Sequence, residues 1–249
     1  MISKDRYLDA MNAVLDRERR RDNIGTLGEK TLHAVLKNYF EPDTSKHEIK
    51  IGSFFADIAS DKGITEIQTR NLYALRRKLD YFLVSYNVTV VHPVVLSKTV
   101  CWVDPQSAEV VSSRKSSKKG SLYSALKELS ALTDYFDDEN LTVCLILCDV
   151  EQYNLLDGYG EDKKRRATKF EIIPTALHEE IYIREIRDLM MFIPAKLPDV
   201  FTFDQFEKNV KLDRISAHRA LKMFLTLGLV RNIGKDGKKY VYEICESID

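Results

Sequence analysis

The chain has 249 residues and a mass of 28.7 kDa, enough for one large domain or for a core plus a small module. Hydrophobic residues at 44% and charged residues at 31% exclude an intrinsically disordered chain, and no run approaches the roughly 20 consecutive apolar residues of a membrane helix. Thirty-eight Lys and Arg balance 38 Asp and Glu, so the formal charge is zero; as a sum this argues against a nucleic-acid partner, but a binding face is made by charge distribution.

Residues 1–21 have helical spacing of Tyr7, Met11, Val14 and Leu15 and end in a charged cluster, with neither the apolar stretch nor the cleavage site of a signal peptide. A cytoplasmic protein is expected. A second helix is predicted over 26–40, closed by Pro42 and Asp43, followed by strands at 47–51, 54–60 and 64–69. A helix over 72–86 and a buried strand over 88–96 complete an α-β-β-β-α-β order. Residues 100–103 and 108–111 read as a hairpin, 122–136 as an amphipathic helix capped by Ser121, and 141–150 as a buried strand that extends toward 156. A polar loop at 158–168, a short strand at 170–173 and a helix over 181–192 precede the Pro-containing linker at 194–198.

The last fifty residues form a pattern of their own. Helices are predicted at 203–210 and from Asp213 to Leu227, the second ended by Gly228, with alternating strands at 229–233 and 239–244 around Lys235-Asp236-Gly237. Two helices and a two-stranded wing outline a winged helix-turn-helix. The expected division is a domain at 1–195 and a small module at 196–249, α/β in class.

Asp57 lies on the second predicted strand and Glu66-Ile67-Gln68 on the third. Glu66 and Gln68, two apart, share one face. A two-residue turn at 61–62 sets Asp57 opposite Glu66, one at 62–63 sets it opposite Gln68, and a three-residue turn points it to the other face. Opposed carboxylates between apolar strands need a compensating partner, and hard oxygen ligands suit Mg²⁺. Solvated acids on a hairpin are the plainer alternative.

With Gly25-Thr26-Leu27-Gly28-Glu29 opening the second helix, this stretch resembles the PD-(D/E)XK nuclease superfamily across about residues 25–96. The resemblance implies a restriction-endonuclease-like core with an α/β extension, Asp57 and Glu66 as ligands of Mg²⁺ or Mn²⁺, and Glu29 assisting. It also implies metal-dependent hydrolysis of DNA. The usual lysine of the motif is Gln68, which can orient water or a phosphate oxygen but carries no positive charge. A non-catalytic DNA-binding protein with a degenerate core is therefore the alternative.

Positive charge is concentrated elsewhere. Arg214, Arg219, Lys222, Arg231, Lys235, Lys238 and Lys239 face a single acid, Asp236, with Arg214, His218 and Lys222 on one helical face and Ile215, Leu221 and Leu225 turned inward. That basic face is expected to enter a major groove of duplex DNA rather than RNA, with Lys235, Lys238 and Lys239 near phosphates. Arg114, Lys115, Lys118 and Lys119 form a second patch, for phosphate contact or as a basic loop, and Arg70 and Asn71 stand where the next helix begins, either to reach a phosphate or with Asn71 capping that helix and Arg70 solvated. Residues 163–166 read as a solvated run. Tyr73, Tyr81 and Tyr86 read as packing residues rather than a base-stacking platform, and His33 and His92 as core or structural histidines rather than catalytic ones. Cys101, Cys144, Cys148 and Cys245 lack zinc-site spacing and read as buried thiols, and no Walker A sequence occurs. A third reading uses the winged helix for self-association as a homodimer.

Overall fold

The computed structural model describes residues 2–20, 31–159 and 166–245. The 25–29 helix opening with Glu29, and Lys163 to Arg165 of the 163–166 run, lie outside the described residues. The fold is mixed α/β, with a large mixed sheet and several helices. The element order is α1 (Lys4–Arg20), α2 (Thr31–Phe40), β1 (His47–Ile51), β2 (Phe54–Ser60), β3 (Gly63–Ile67), α3 (Arg76–Phe82), β4 (Val88–Val103) and β5 (Val110–Lys115). It continues with α4 (Leu126–Leu129), β6 (Leu141–Leu155), β7 (Thr168–Ile183), β8 (Val200–Thr202), α5 (Phe203–Val210), α6 (Arg214–Thr226), β9 (Val230–Asp236) and β10 (Lys239–Ile244). Seven strands form the large sheet in the order β1-β2-β3-β4-β6-β7, with β5 on β4, and β8-β10-β9 form a second sheet. No helix among the described residues is long and apolar enough to cross a membrane.

The chain forms two compact units, interleaved in sequence: Met1–Ser60, Pro93–Gly120 and Ile146–Glu180 make the first, and Asp61–His92, Ser121–Leu145 and Ile181–Asp249 the second. In the first, the apolar stripe of α2 is buried through Leu32, Val35, Leu36 and Tyr39, and α1 contributes Ala10 and Val14. Arg6 of α1 donates to the carbonyls of Tyr39 and Phe40 at 2.6 and 3.1 Å, satisfying acceptors that the end of α2 leaves open. β1 and β2 pair antiparallel with Ile49 opposite Ala56.

In the second unit β3 and β4 are parallel, with Glu66 opposite Val90. Gly63 opens β3 at φ +111°, and a Cβ there would sit 2.2 Å from the Asn87 carbonyl oxygen, so the strand start accepts glycine alone. α6 is capped by Asp213, whose Oδ1 accepts from the Ser216 amide at 3.0 Å. Phe201, Phe206, Phe224, Leu221 and Leu229 make the apolar centre beneath α5, α6 and the small sheet.

Several predicted elements differ. β4 and β7 are single strands of 16 residues, where the sequence suggests a strand plus half a hairpin, and a short strand. The predicted helix over 181–192 is the end of β7 followed by a 3₁₀ segment, Ile186–Phe192. The predicted helix over 122–136 is split into 3₁₀, α and 3₁₀ pieces, and Ser121 makes no side-chain cap. Hydroxyls cause this break: Ser124, Ser130 and Thr133 donate to the carbonyls three residues before them at 2.6, 3.0 and 2.8 Å, competing with the i−4 ladder. The predicted helix over 72–86 is a 3₁₀ turn, Leu72–Leu75, leading into the short α3.

Candidate functional site

Asp57 belongs to the first unit and lies in the middle of β2. Its Oδ2 is 3.2 Å from Nε2 of His33 on α2, and both side chains are largely buried, at 14% and 21% exposure. Toward an ionised carboxylate that nitrogen carries the proton. His33 is therefore a structural partner of Asp57.

Glu66 belongs to the second unit. It is buried to 1% exposure on β3, and its Oε2 accepts from Nζ of Lys78 on α3 at 2.7 Å. An ionised carboxylate so deeply buried needs such a partner. Lys78, on the next helix, is a charge partner of this acid.

Gln68 follows the end of β3. Its Nε2 donates to the carbonyls of Arg70 and Asn71 at 2.7 and 3.3 Å, so this amide group secures the turn. Asn71 sits in the left-handed region, φ 57° and ψ 63°, and makes no side-chain cap. The first amide of the turn is held from another direction, Leu72 N donating to Glu128 Oε2 of α4 at 3.0 Å. His92 Nδ1 donates to the Gln68 carbonyl at 2.7 Å; burial pushes its pKa down and that hydrogen bond opposes the shift. His92 is a structural histidine, as expected. Arg70 is exposed.

The basic residues of the C-terminal segment fall into two groups. Arg214 is 3.0 Å from Glu207 and 3.9 Å from Asp204, and its guanidinium lies over the Phe203 ring. Lys239 pairs with Asp204 at 2.7 Å, Arg231 with Glu243, and Lys235 sits over the Tyr240 ring. His218 stacks on Phe203 with ring centroids 3.7 Å apart. Arg219, Lys222 and Lys238 are exposed and have no salt bridge among the described residues. Ile215, expected to turn inward, is 67% exposed, because Ser216 and Ala217 take the buried side of the first turn.

α6 also packs on α4 and on the 3₁₀ segment Ser130–Tyr135. A cleft of about 580 Å³ opens there, lined by Asn71, Tyr73, Arg76, Lys127, Arg219 and Lys222. Arg214, His218 and Lys222 are all exposed on α6. Tyr73, Tyr81 and Tyr86 are 67%, 45% and 40% exposed rather than packed inside.

In the first unit Arg114 and Lys115 lie on β5, whose six residues are all exposed, and Lys118 and Lys119 follow it. This segment is a strand, with Lys115 opposite Thr99 and Arg114 opposite Val100. Burial lowers the Lys98 pKa, and the neighbouring Lys169 and Lys118 lower it further, marking a local excess of positive charge.

Among the described residues no group of three or more His, Cys, Asp and Glu side chains forms a metal cluster. Cys101, Cys144 and Cys148 are buried, Cys245 is half-buried, and none is in a disulfide.

The fold defines a mixed α/β protein. A family described as a domain of unknown function, DUF8091, matches residues 30–184, and the chain belongs to that family. An uncharacterized protein of Treponema pallidum (strain Nichols) is 28% identical over 222 residues, covering 88% of this chain and 86% of that protein. No solved structure matches the chain.

Proposed function

We propose that this protein is a metal-dependent DNA endonuclease with a restriction-endonuclease-like core and a C-terminal winged helix at 196–249, acting in the cytoplasm. The observation that carries the reading is the Glu66–Lys78 pair: a carboxylate at 1% exposure held 2.7 Å from an ammonium, in a motif whose own lysine is replaced by Gln68. Lys78 supplies the charge that the motif lacks. Exposed Arg114, Lys115, Lys118 and Lys119 add a surface for phosphates.

By the resemblance, Asp57, Glu66 and Glu29 would be the carboxylates that hold the ion, and their hard oxygens suit Mg²⁺ or Mn²⁺. Bound there, the ion would polarise a phosphoryl oxygen and lower the pKa of a bound water. His33 holds the Asp57 carboxylate in place, and Lys78 pairs with Glu66 and adds positive charge for the phosphate.

Incubation of duplex DNA with the purified protein and Mg²⁺ or Mn²⁺ tests this. Cleavage is expected, and Asp57→Ala is expected to abolish it in a protein that remains folded. Cleavage that persists in Asp57→Ala and Glu66→Ala, or in excess chelator, overturns the assignment.

A second reading, a non-catalytic DNA-binding protein, is favoured by one observation: the Gln68 amide is engaged by the Arg70 and Asn71 carbonyls rather than directed at a reacting group. Mn²⁺ at a hundredfold excess over its dissociation constant would stabilise a metal-binding fold by about 2.7 kcal/mol. Such stabilisation, lost in Asp57→Ala, supports the enzyme. Its absence together with absent cleavage and retained DNA binding supports the second reading.

A further inference from the structure

The positive charge left unneutralised on α6 lies at the cleft. Arg214 and Lys239 are engaged by Asp204 and Glu207, whereas Arg219 and Lys222, three residues apart on one side of the helix, have no salt bridge among the described residues. With Arg76 and Lys127 they make four cations in a cleft whose one carboxylate, Asp134, is 2.5 Å from Arg76. The lining also includes Tyr73, 67% exposed, with the Arg76 guanidinium 5.6 Å from its ring centroid. Arg76 is fixed twice more, by the Ala131 carbonyl at 3.1 Å and over the Tyr135 ring.

A cationic channel beside an exposed aromatic face is the arrangement that follows a single strand: cations track the phosphates and the ring stacks on an unpaired base. A duplex keeps its bases stacked, out of reach of Tyr73. We infer that the cleft between α3, α4 and α6 binds a segment of single-stranded DNA, with Arg219 and Lys222 on its phosphates and Tyr73 stacked on a base. The inference rests on the reading that the protein acts on DNA, and it assigns which strand form the C-terminal segment holds.

The experiment is fluorescence anisotropy of the full chain with a labelled oligothymidylate and with a duplex of equal length, in excess chelator so that cleavage plays no part. The single strand is expected to bind more tightly than the duplex. Tyr73→Ala should weaken single-strand binding about fivefold or more, the lower end of base–aromatic stacking. Arg219→Ala with Lys222→Ala should reduce the slope of log affinity against log salt by about 1.4, about 0.7 for each single-strand phosphate left without its cation. All three side chains are exposed, so these variants should fold, which circular dichroism checks; Lys196→Ala, an exposed cation outside the cleft, should change nothing.

Tighter or equal binding of duplex, an unaffected Tyr73→Ala, an unchanged salt slope in the double variant, or an equal effect of Lys196→Ala overturns the assignment. Binding with the expected pattern but no metal-dependent cleavage supports the cleft and removes only the nuclease reading. No binding of any oligonucleotide removes the cleft and the DNA reading together.

Discussion

Glu66 brings a carboxylate into surroundings that leave 1% of its side chain to water, and Lys78, 26% exposed, bridges it toward solvent. Removing one partner of such a pair costs more than removing both, because the remaining charge keeps its desolvation penalty. Lys78→Met is expected to cost about 3 kcal/mol by chemical denaturation, the low end for a buried pair because the lysine is partly solvated. Glu66→Gln combined with Lys78→Met should recover much of that loss. A coupling between the two sites below about 0.5 kcal/mol would show that they act independently. Asp57, Glu66 and Gln68 are legible in the sequence because acids between apolar strand residues violate the local pattern. Lys78 and His33 are not, because their partners lie 12 and 24 residues away and neither breaks a pattern where it stands. The exposure of Tyr73 is hidden for the opposite reason: an aromatic residue near Leu72 and Leu75 resembles core until its side of the turn is known.

Elements with their own start and stop signals are predicted closely. Asp213 and Gly228 bracket α6 in the sequence and in the fold, and the predicted wing strands correspond to β9 and β10. Asp213 receives hydrogen bonds from both the amide and the hydroxyl of buried Ser216, at 3.0 and 2.6 Å, which hold its carboxyl below the usual carboxylate range. Asp213→Ala should therefore lower stability, measured by denaturant unfolding, whereas Asp213→Asn should restore most of the loss. Equal losses in both variants would show that charge, not capping, is the contribution. Long strands are the opposite case. β4 and β7 contain Pro93 and Pro174 and lose regular alternation, so local cues divide them. Their continuity comes from pairing within the sheet, as where β5 lies along β4 from Thr99 to Val103. Residues 122–135 show a related effect: apolar spacing specifies a buried side correctly, but three hydroxyls and the hydrogen bond from Leu72 to Glu128 replace a regular helix with shorter turns.

Across the whole molecule, burial raises several groups that are neutral when protonated. Tyr39, Tyr135 and Tyr153 are pushed up to about 12, first by burial and then by hydrogen bonds to Glu180, Asp80 and Glu151. Cys148 is pushed up to about 12 by burial and by Asp149. In the unfolded chain these groups ionise at about 10 for tyrosine and 8.5 for cysteine, so the native state holds more protons above those values. Their contribution is complete below the unfolded values and is lost as pH rises through the folded ones. Melting temperature should fall between about pH 9 and 12, and Tyr39→Phe should make that fall shallower. A melting temperature level across the window would show that these groups are not protected by the fold.

The zero net charge resolves in the same way into local distributions. Composition and local pattern determined an α/β protein with a sizeable core, the order of its first helices and strands, the acids at 57 and 66 and the basic enrichment near the C-terminus. These follow from periodicity, capping and residue type, which act over a few positions. Only the tertiary structure decided that Lys78 meets Glu66, that His33 meets Asp57, and that Arg214 and Lys239 are neutralised while Arg219 and Lys222 remain open to the cleft. Charge pairing depends on distances between elements, and those distances are set by packing rather than by spacing along the chain.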